Sequence, residues 1–183
     1  MQVRTTRIVG VVVFTPQVHR DDRGHFTRTF DVATAREAGI DGGMFCQDSQ
    51  SRSRRGVVRG LHLRSGAGEA KLVRCARGAI FDVLLDARHD SPTLGTVETF
   101  ELDDVSHETL FVPPGVAHGW QALTEPADVC YRISAEHDPA EDVAIRFDDP
   151  DLGIPWPEPV TLVSHRDAIA PAWSSVRESY RLH

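Results

Sequence analysis

The chain has 183 residues, 40% of them hydrophobic and 26% charged, with a formal net charge of −7 at pH 7; this is the composition of a soluble globular domain with enough chain to bury a core. The acidic balance argues against a nucleic-acid binder, and no apolar run approaches the roughly 20 residues of a membrane span. An anionic ligand would need arginines concentrated locally against the overall field.

Three cysteines, Cys46, Cys75 and Cys130, stand at unrelated spacings without a CxxC pair. They read as buried thiols of a reducing compartment, so a cytoplasmic location is expected. Arg4 and Arg7 precede the apolar run Ile8–Phe14. That run is too short for a signal-peptide core and no cleavage site follows it. Residues 5–14 are therefore predicted as an opening strand ended by Pro16. Residues 19–31 turn at Asp21–Gly24, then alternate through Phe26, Arg28 and Phe30, a turn into a strand. Residues 32–39 are the best short helix, stopped by Gly39. Phe45–Ser53 is polar and reads as an extended edge strand or loop.

The stretch Gly56–Asp86 holds three β-rich runs, Val57–Leu63, Lys71–Cys75 and Ala79–Leu85, punctuated by glycine. They are predicted as consecutive antiparallel strands. Arg59 and His62 are an odd step apart, so a flat strand puts them on opposite faces. A bulge or strong twist near Gly60 would bring them together. Further runs follow at Thr96–Leu102, Leu110–Val112, Ala117–Leu123, Val129–Ser134 and Val143–Phe147. About ten short strands with one brief helix predict an all-β antiparallel sandwich or barrel, and residues 1–183 read as a single domain. Residues 148–171 are predicted to wrap the body in order, because Leu152, Ile154 and Trp156 need apolar cover. The last dozen residues form a terminal helix or fray.

Of the nine histidines, most have no reason to be more than structural. His62, inside an apolar strand, and His118, after a tight turn, stand apart; a buried imidazole needs partners and titrates near neutrality. Lys71, Tyr131 and Asp82 taken singly read as hydrogen-bonded wall residues. Arg23 and Arg59 taken singly read as solvated. No phosphate-binding glycine loop, GxSxG elbow or HExxH motif occurs.

The ordered set GVVRGLHLR, KLVRCARGAIFDVLLDAR, SPTLG, FVPPGVAHGW, CYRIS, FDDPDLGIPWP and VSHRD resembles the dTDP-4-dehydrorhamnose 3,5-epimerase family, the RmlC-type nucleotide-sugar epimerases, from about residue 8 to 171. The resemblance implies a cupin-type jelly roll, a homodimer, no cofactor, and a dTDP-linked 4-keto-6-deoxyhexose as substrate. It implies His62 as base, Asp167 as its partner, Lys71 and His118 facing the ketone oxygen, and Tyr131 as the acid on the other ring face. By the same resemblance Arg23 and Arg59 hold the diphosphate, Gln47 and Phe26 the nucleotide, and Ser49, His137 and Glu141 complete substrate binding. Without it Asp167 would read as a helix N-cap or surface carboxylate. Metal-binding cupins use an HxH pair; here Arg64 takes the second place, leaving two histidines where a catalytic zinc expects three protein ligands. A metal-free site is expected.

The chain departs from the family where Leu63-Arg64 replaces Tyr-Gln, Ser49 replaces Asn, Arg28 replaces Glu, and His137 replaces an aromatic residue. These changes touch binding positions and point to a specialised epimerase of secondary metabolism acting at C3 or C5 alone. The dual 3,5-epimerase, a 3,4-ketoisomerase and a non-catalytic sugar-nucleotide-binding cupin are the alternatives.

Overall fold

The computed structural model describes residues 1–182. The strands are β1 (Gln2–Thr5), β2 (Val12–Thr15), β3 (Val18–Asp21), β4 (Gly24–Thr27), β5 (Gln47–Ser53), β6 (Val58–Arg64), β7 (Lys71–Arg77), β8 (Ala79–Asp86), β9 (Val97–Asp103), β10 (Thr109–Val112), β11 (Val116–Ala122), β12 (Ala127–Ile133) and β13 (Asp142–Ala144). The helices are α1 (Val32–Glu37), α2 (His165–Ala168) and α3 (Trp173–Ser179). Six strands form one antiparallel sheet, β1-β2-β10-β7-β12-β5, and five form a second, β13-β6-β11-β8-β9. The two face each other as an all-β jelly roll.

Strand β8 shows how sequence dictates that arrangement. Successive side chains on a strand point to opposite faces. Ile80 and Leu84 join the core between the sheets, with Val13, Val73, Leu110, Trp120 and Val129. Phe81, Val83 and Leu85 point outward, where Trp173, Val176 and Tyr180 cover them along with Ile154 and Trp156. The outer face of the larger sheet buries Val12, Phe14, Leu72 and Phe111 against Ala35 and Ile40. The prediction that residues 148–171 wrap the body holds, because Leu152, Ile154 and Trp156 pack on that second sheet. The terminal segment is helical at α3.

Three local expectations change. The run 5–14 is not one strand: Val11 N–H donates to Ile8 C=O at 3.1 Å and Gly10 adopts φ +85, so the chain turns between β1 and β2. Ile8 and Val11 are buried as core filling rather than as strand residues. The strand after Gly24 stops at Thr27, and Asp31 caps α1 by accepting from Thr34 N–H at 3.0 Å. The runs β6, β7 and β8 are not paired with one another. β7 lies in the larger sheet, whereas β6 and β8 flank β11 in the smaller. The loop and the turn between these runs carry the chain from one sheet to the other.

The expected irregularity at Gly60 is present. β6 and β11 pair at His118↔His62 and again at Trp120↔Arg59, so three steps on β6 match two on β11. The extra residue is a β-bulge. Gly60 sits at φ +122, and a Cβ built on it would lie 2.5 Å from Gly119 Cα. Neither glycine can carry a side chain at this crossing. Gly60→Ala is expected to destabilise the fold by about 3 kcal/mol through overpacking and backbone strain, read as a lower urea midpoint with an unchanged m-value.

Candidate active site

A cavity of about 710 Å³ opens between the sheets. β6 and β11 of the smaller sheet supply Arg59, His62, Arg64, His118 and Trp120 to its wall; β5, β7 and β12 of the larger supply Gln47, Ser49, Lys71 and Tyr131. The bulge therefore answers the phase question: Arg59 and His62 both face the cavity. His137, from the segment after β12, also lines it. Four Lys and Arg side chains stand in the wall against three Asp and Glu, so the site is locally cationic in a chain of net charge −7.

The placement of Asp167 depends on the segment before α2. Leu162 runs parallel to Val57, and Leu162 C=O accepts from Val58 N–H at 3.1 Å, which lays residues 159–164 along the start of β6. Ser164 then caps α2 by accepting from Asp167 N–H at 3.1 Å. Asp167, 2% exposed, is held from both oxygens. Oδ1 lies 2.6 Å from His62 Nε2, and Oδ2 accepts from Gly60 N–H at 3.4 Å. Burial pushes this carboxyl up, but the hydrogen bond and charge of His62 and the Gly60 amide outweigh burial and hold it below its ordinary value. Asp167 is thus neither a cap nor a surface group. It occupies one ring nitrogen of His62 and leaves Nδ1 for a ligand.

A second imidazole–carboxylate pair lies beside the first. His118, in register with His62, has Nε2 2.7 Å from Oδ2 of fully buried Asp82. The His118 ring meets the Tyr131 ring edge-on at 6.1 Å between centroids. Trp120 Nε1–H donates to Tyr131 Oη at 2.6 Å, which leaves the phenol hydrogen free to point elsewhere. Burial pushes the Tyr131 hydroxyl up to about 12, so it stays a protonated donor across the neutral range. Arg59 donates from Nε to Ser53 Oγ at 3.0 Å and stands 5.9 Å from the Trp120 ring centroid. Lys71 Nζ contacts Glu69 Oε1 at 2.9 Å, and Glu69 Oε2 contacts Arg64 Nε at 3.4 Å. No group of three or more His, Cys, Asp or Glu side chains among the described residues is placed to hold a metal ion.

The structure brings together His62, Asp167, Lys71, Tyr131, His118, Arg59, Gln47, Ser49 and His137. It does not bring Arg23, Phe26 or Glu141 into this cavity. Arg23 sits in the turn of the β3–β4 hairpin, bonded to Asp21 at 2.6 Å; Phe26 on β4 is 67% exposed. That hairpin pairs only with itself and joins neither sheet. The Glu141 side chain lies against Gly66. Glu69 was missed by sequence reasoning. It lies in the coil just before β7, and the available signal was its closeness in sequence, two residues ahead of Lys71.

A family model described as dTDP-4-dehydrorhamnose 3,5-epimerase matches residues 5–175. The dTDP-4-dehydrorhamnose 3,5-epimerase of Methanothermobacter thermautotrophicus is 38% identical, over 95% of this chain and 94% of its own. The dTDP-4-dehydrorhamnose 3-epimerase of Streptomyces niveus is 39% identical, over 98% of this chain and 87% of its own. Among solved structures, NovW, a 4-keto-6-deoxy sugar epimerase from the novobiocin biosynthetic gene cluster of Streptomyces spheroides, superposes with a TM-score of 0.93 at 39% identity, covering 98% of this chain and 90% of that one.

The depressed carboxyl of Asp167 has a definite sign in stability. Its contribution is complete above the ordinary value of 3.8 and is lost as pH falls through the lower folded value. Asp167→Asn is expected to cost about 1.5–3 kcal/mol near neutrality, the range for a hydrogen bond to a charged group. That gap to the unsubstituted chain should close as urea unfolding is repeated at pH values below 3.8.

Proposed function

The chain belongs to the dTDP-4-dehydrorhamnose 3,5-epimerase family and is an isomerase of dTDP-linked sugars; from that premise we propose that it inverts C3 of a dTDP-4-keto-6-deoxyhexose. The observation that carries the reading is the disposition of three groups. His62 rises from one sheet, and Tyr131 and Lys71 from the other, across a single cavity. A C–H next to a ketone is acidic because its carbanion delocalises onto oxygen as an enolate. Inversion needs a base on one ring face, a stabiliser for the developing oxyanion, and an acid on the opposite face.

In this scheme His62 Nδ1 takes the proton. Asp167, 2.6 Å from Nε2, orients the ring and stabilises the imidazolium that forms. The Lys71 ammonium and His118 face the C4 oxygen. Tyr131, kept protonated by burial, delivers a proton from the far wall. Arg59 binds the diphosphate by charge-assisted hydrogen bonds, Gln47 and Ser49 contact the nucleotide side, and His137 lies by the sugar. Arg23 and Phe26 project from their own chain on the hairpin. We assign them to nucleotide binding across a homodimer, each hairpin reaching its partner's cavity, and Glu141 to a supporting place beside Gly66. The three cysteines are free thiols, of which only Cys75 is buried and Cys46 is exposed, against the expectation that all three are buried; unpaired thiols suit a cytoplasmic enzyme.

Restriction to one carbon is supported by the 39% identical relative named as a 3-epimerase. It is also supported by the position of the departures: Ser49, Arg64 and His137 line the cavity. The dual 3,5-reading is favoured by the 38% identical relative from Methanothermobacter thermautotrophicus. Turnover of dTDP-4-keto-6-deoxyglucose in heavy water separates them by NMR. Deuterium at C3 alone is expected; deuterium at both C3 and C5, in a product that a rhamnose-pathway reductase accepts, defeats the single-carbon reading. A ketone moved to C3 defeats epimerisation itself. His62→Asn is expected to lower exchange by at least about 10³-fold while dTDP binding by calorimetry stays within a few fold. Tyr131→Phe should retain wash-in of deuterium at C3 but lose inversion, because the proton then returns from the face it left.

A further inference from the structure

The cavity wall holds a charged cluster of which the scheme above uses only Lys71. Glu69 bridges two cations, with Oε1 2.9 Å from Lys71 Nζ and Oε2 3.4 Å from Arg64 Nε. All three side chains are nearly out of water, at 11%, 12% and 4% exposed for Lys71, Glu69 and Arg64. Arg64 does not hang free in solvent. Its Nη1 donates to the Glu136 carbonyl, and its own carbonyl accepts from Tyr180 Oη at 2.9 Å. Nor can it shed its charge, since a guanidinium stays protonated in proteins.

We propose that Glu69, anchored by Arg64, is the positioning residue for Lys71; the proposal rests on the role given to Lys71 above. The carboxylate holds the ammonium at the strand start and screens it from Arg64. The three together leave one net positive charge facing the place where the enolate oxygen develops. Burying two cations side by side without an intervening anion drives the one that can lose a proton to do so, and that one is Lys71. The other ionisable groups sharing the cavity with Lys71 are Arg59 and His62 on β6, His118 on β11, Tyr131 on β12, His137 beyond it, Asp142 on β13, and Arg166 and Asp167 on α2. His62 and His118 are engaged by Asp167 and Asp82, and Asp142 on β13 by Arg166 at 2.8 Å. Glu69 is therefore the carboxylate in contact with Lys71.

The test follows Lys71 itself. The unsubstituted chain, Glu69→Gln, Arg64→Met and the double variant are pulsed with acetic anhydride across a pH series, and acetylation of the Lys71 peptide is read by mass spectrometry. The labelling midpoint is expected to fall by about one pH unit or more in Glu69→Gln, the size of a close like-charge effect. It should rise in Arg64→Met, which leaves the carboxylate alone with the ammonium, and return close to the original in the double variant, which removes both neighbours. Turnover should follow, with kcat of Glu69→Gln down about tenfold, KM changed less than about twofold, and the alkaline limb of the rate profile moved to lower pH. A midpoint unmoved in Glu69→Gln, or moved and not restored in the double variant, overturns the proposal. If Glu69→Gln does not fold, Arg64→Met decides, and an unmoved midpoint there overturns it equally. Labelling does not depend on turnover, so an unsubstituted chain without epimerase activity defeats the functional reading and leaves this test standing.

Discussion

The site depends on one close approach. At the crossing of β6 and β11, Gly60 and Gly119 meet with no room for a Cβ on either, and the extra residue on β6 changes the phase of the strand. Without that bulge, Arg59 and His62 would face opposite sides of the sheet. With it they look into one cavity. The same bulge turns the Gly60 amide toward Asp167 Oδ2, so a single backbone irregularity both aims the imidazole and helps hold its carboxylate.

Charge is organised on the same local scale. A chain of net charge −7 places more cations than anions around its cavity, as an anionic ligand requires. Each cavity histidine in a strand has one ring nitrogen engaged by a buried carboxylate, an arrangement that fixes the ring. Tyr131 is held in the opposite way. Burial keeps its proton on, and the Trp120 indole supplies a donor to its oxygen. A group suited to accept a proton and a group suited to give one are thus set by different surroundings on facing walls.

The Arg64–Glu69–Lys71 cluster extends that logic to the ammonium. A lone buried lysine beside an arginine is electrostatically poor; a carboxylate between them makes it tolerable. The cost is a buried Arg64 Nε that makes no hydrogen bond and meets Glu69 only as an ion pair at 3.4 Å.

The sequence by itself located most of the strands, because short runs of Val, Ile, Leu and Phe punctuated by glycine are a local property of the chain; with apolar residues on both faces of β8, it did not say which face is inward. It carried the family motifs, and through them His62, Asp167, Lys71 and Tyr131. It also located the irregularity at Gly60, though not its outcome. Only the tertiary structure decided which sheet each run joins: β6, β7 and β8 follow one another in the chain yet do not pair. Only the structure separated Arg23, Phe26 and Glu141 from the cavity and brought Glu69 against Lys71 and Arg64. The reason is that pairing between strands, and contact across a cavity, depend on residues tens of positions apart, whereas periodicity reports only which side of its own strand a residue occupies.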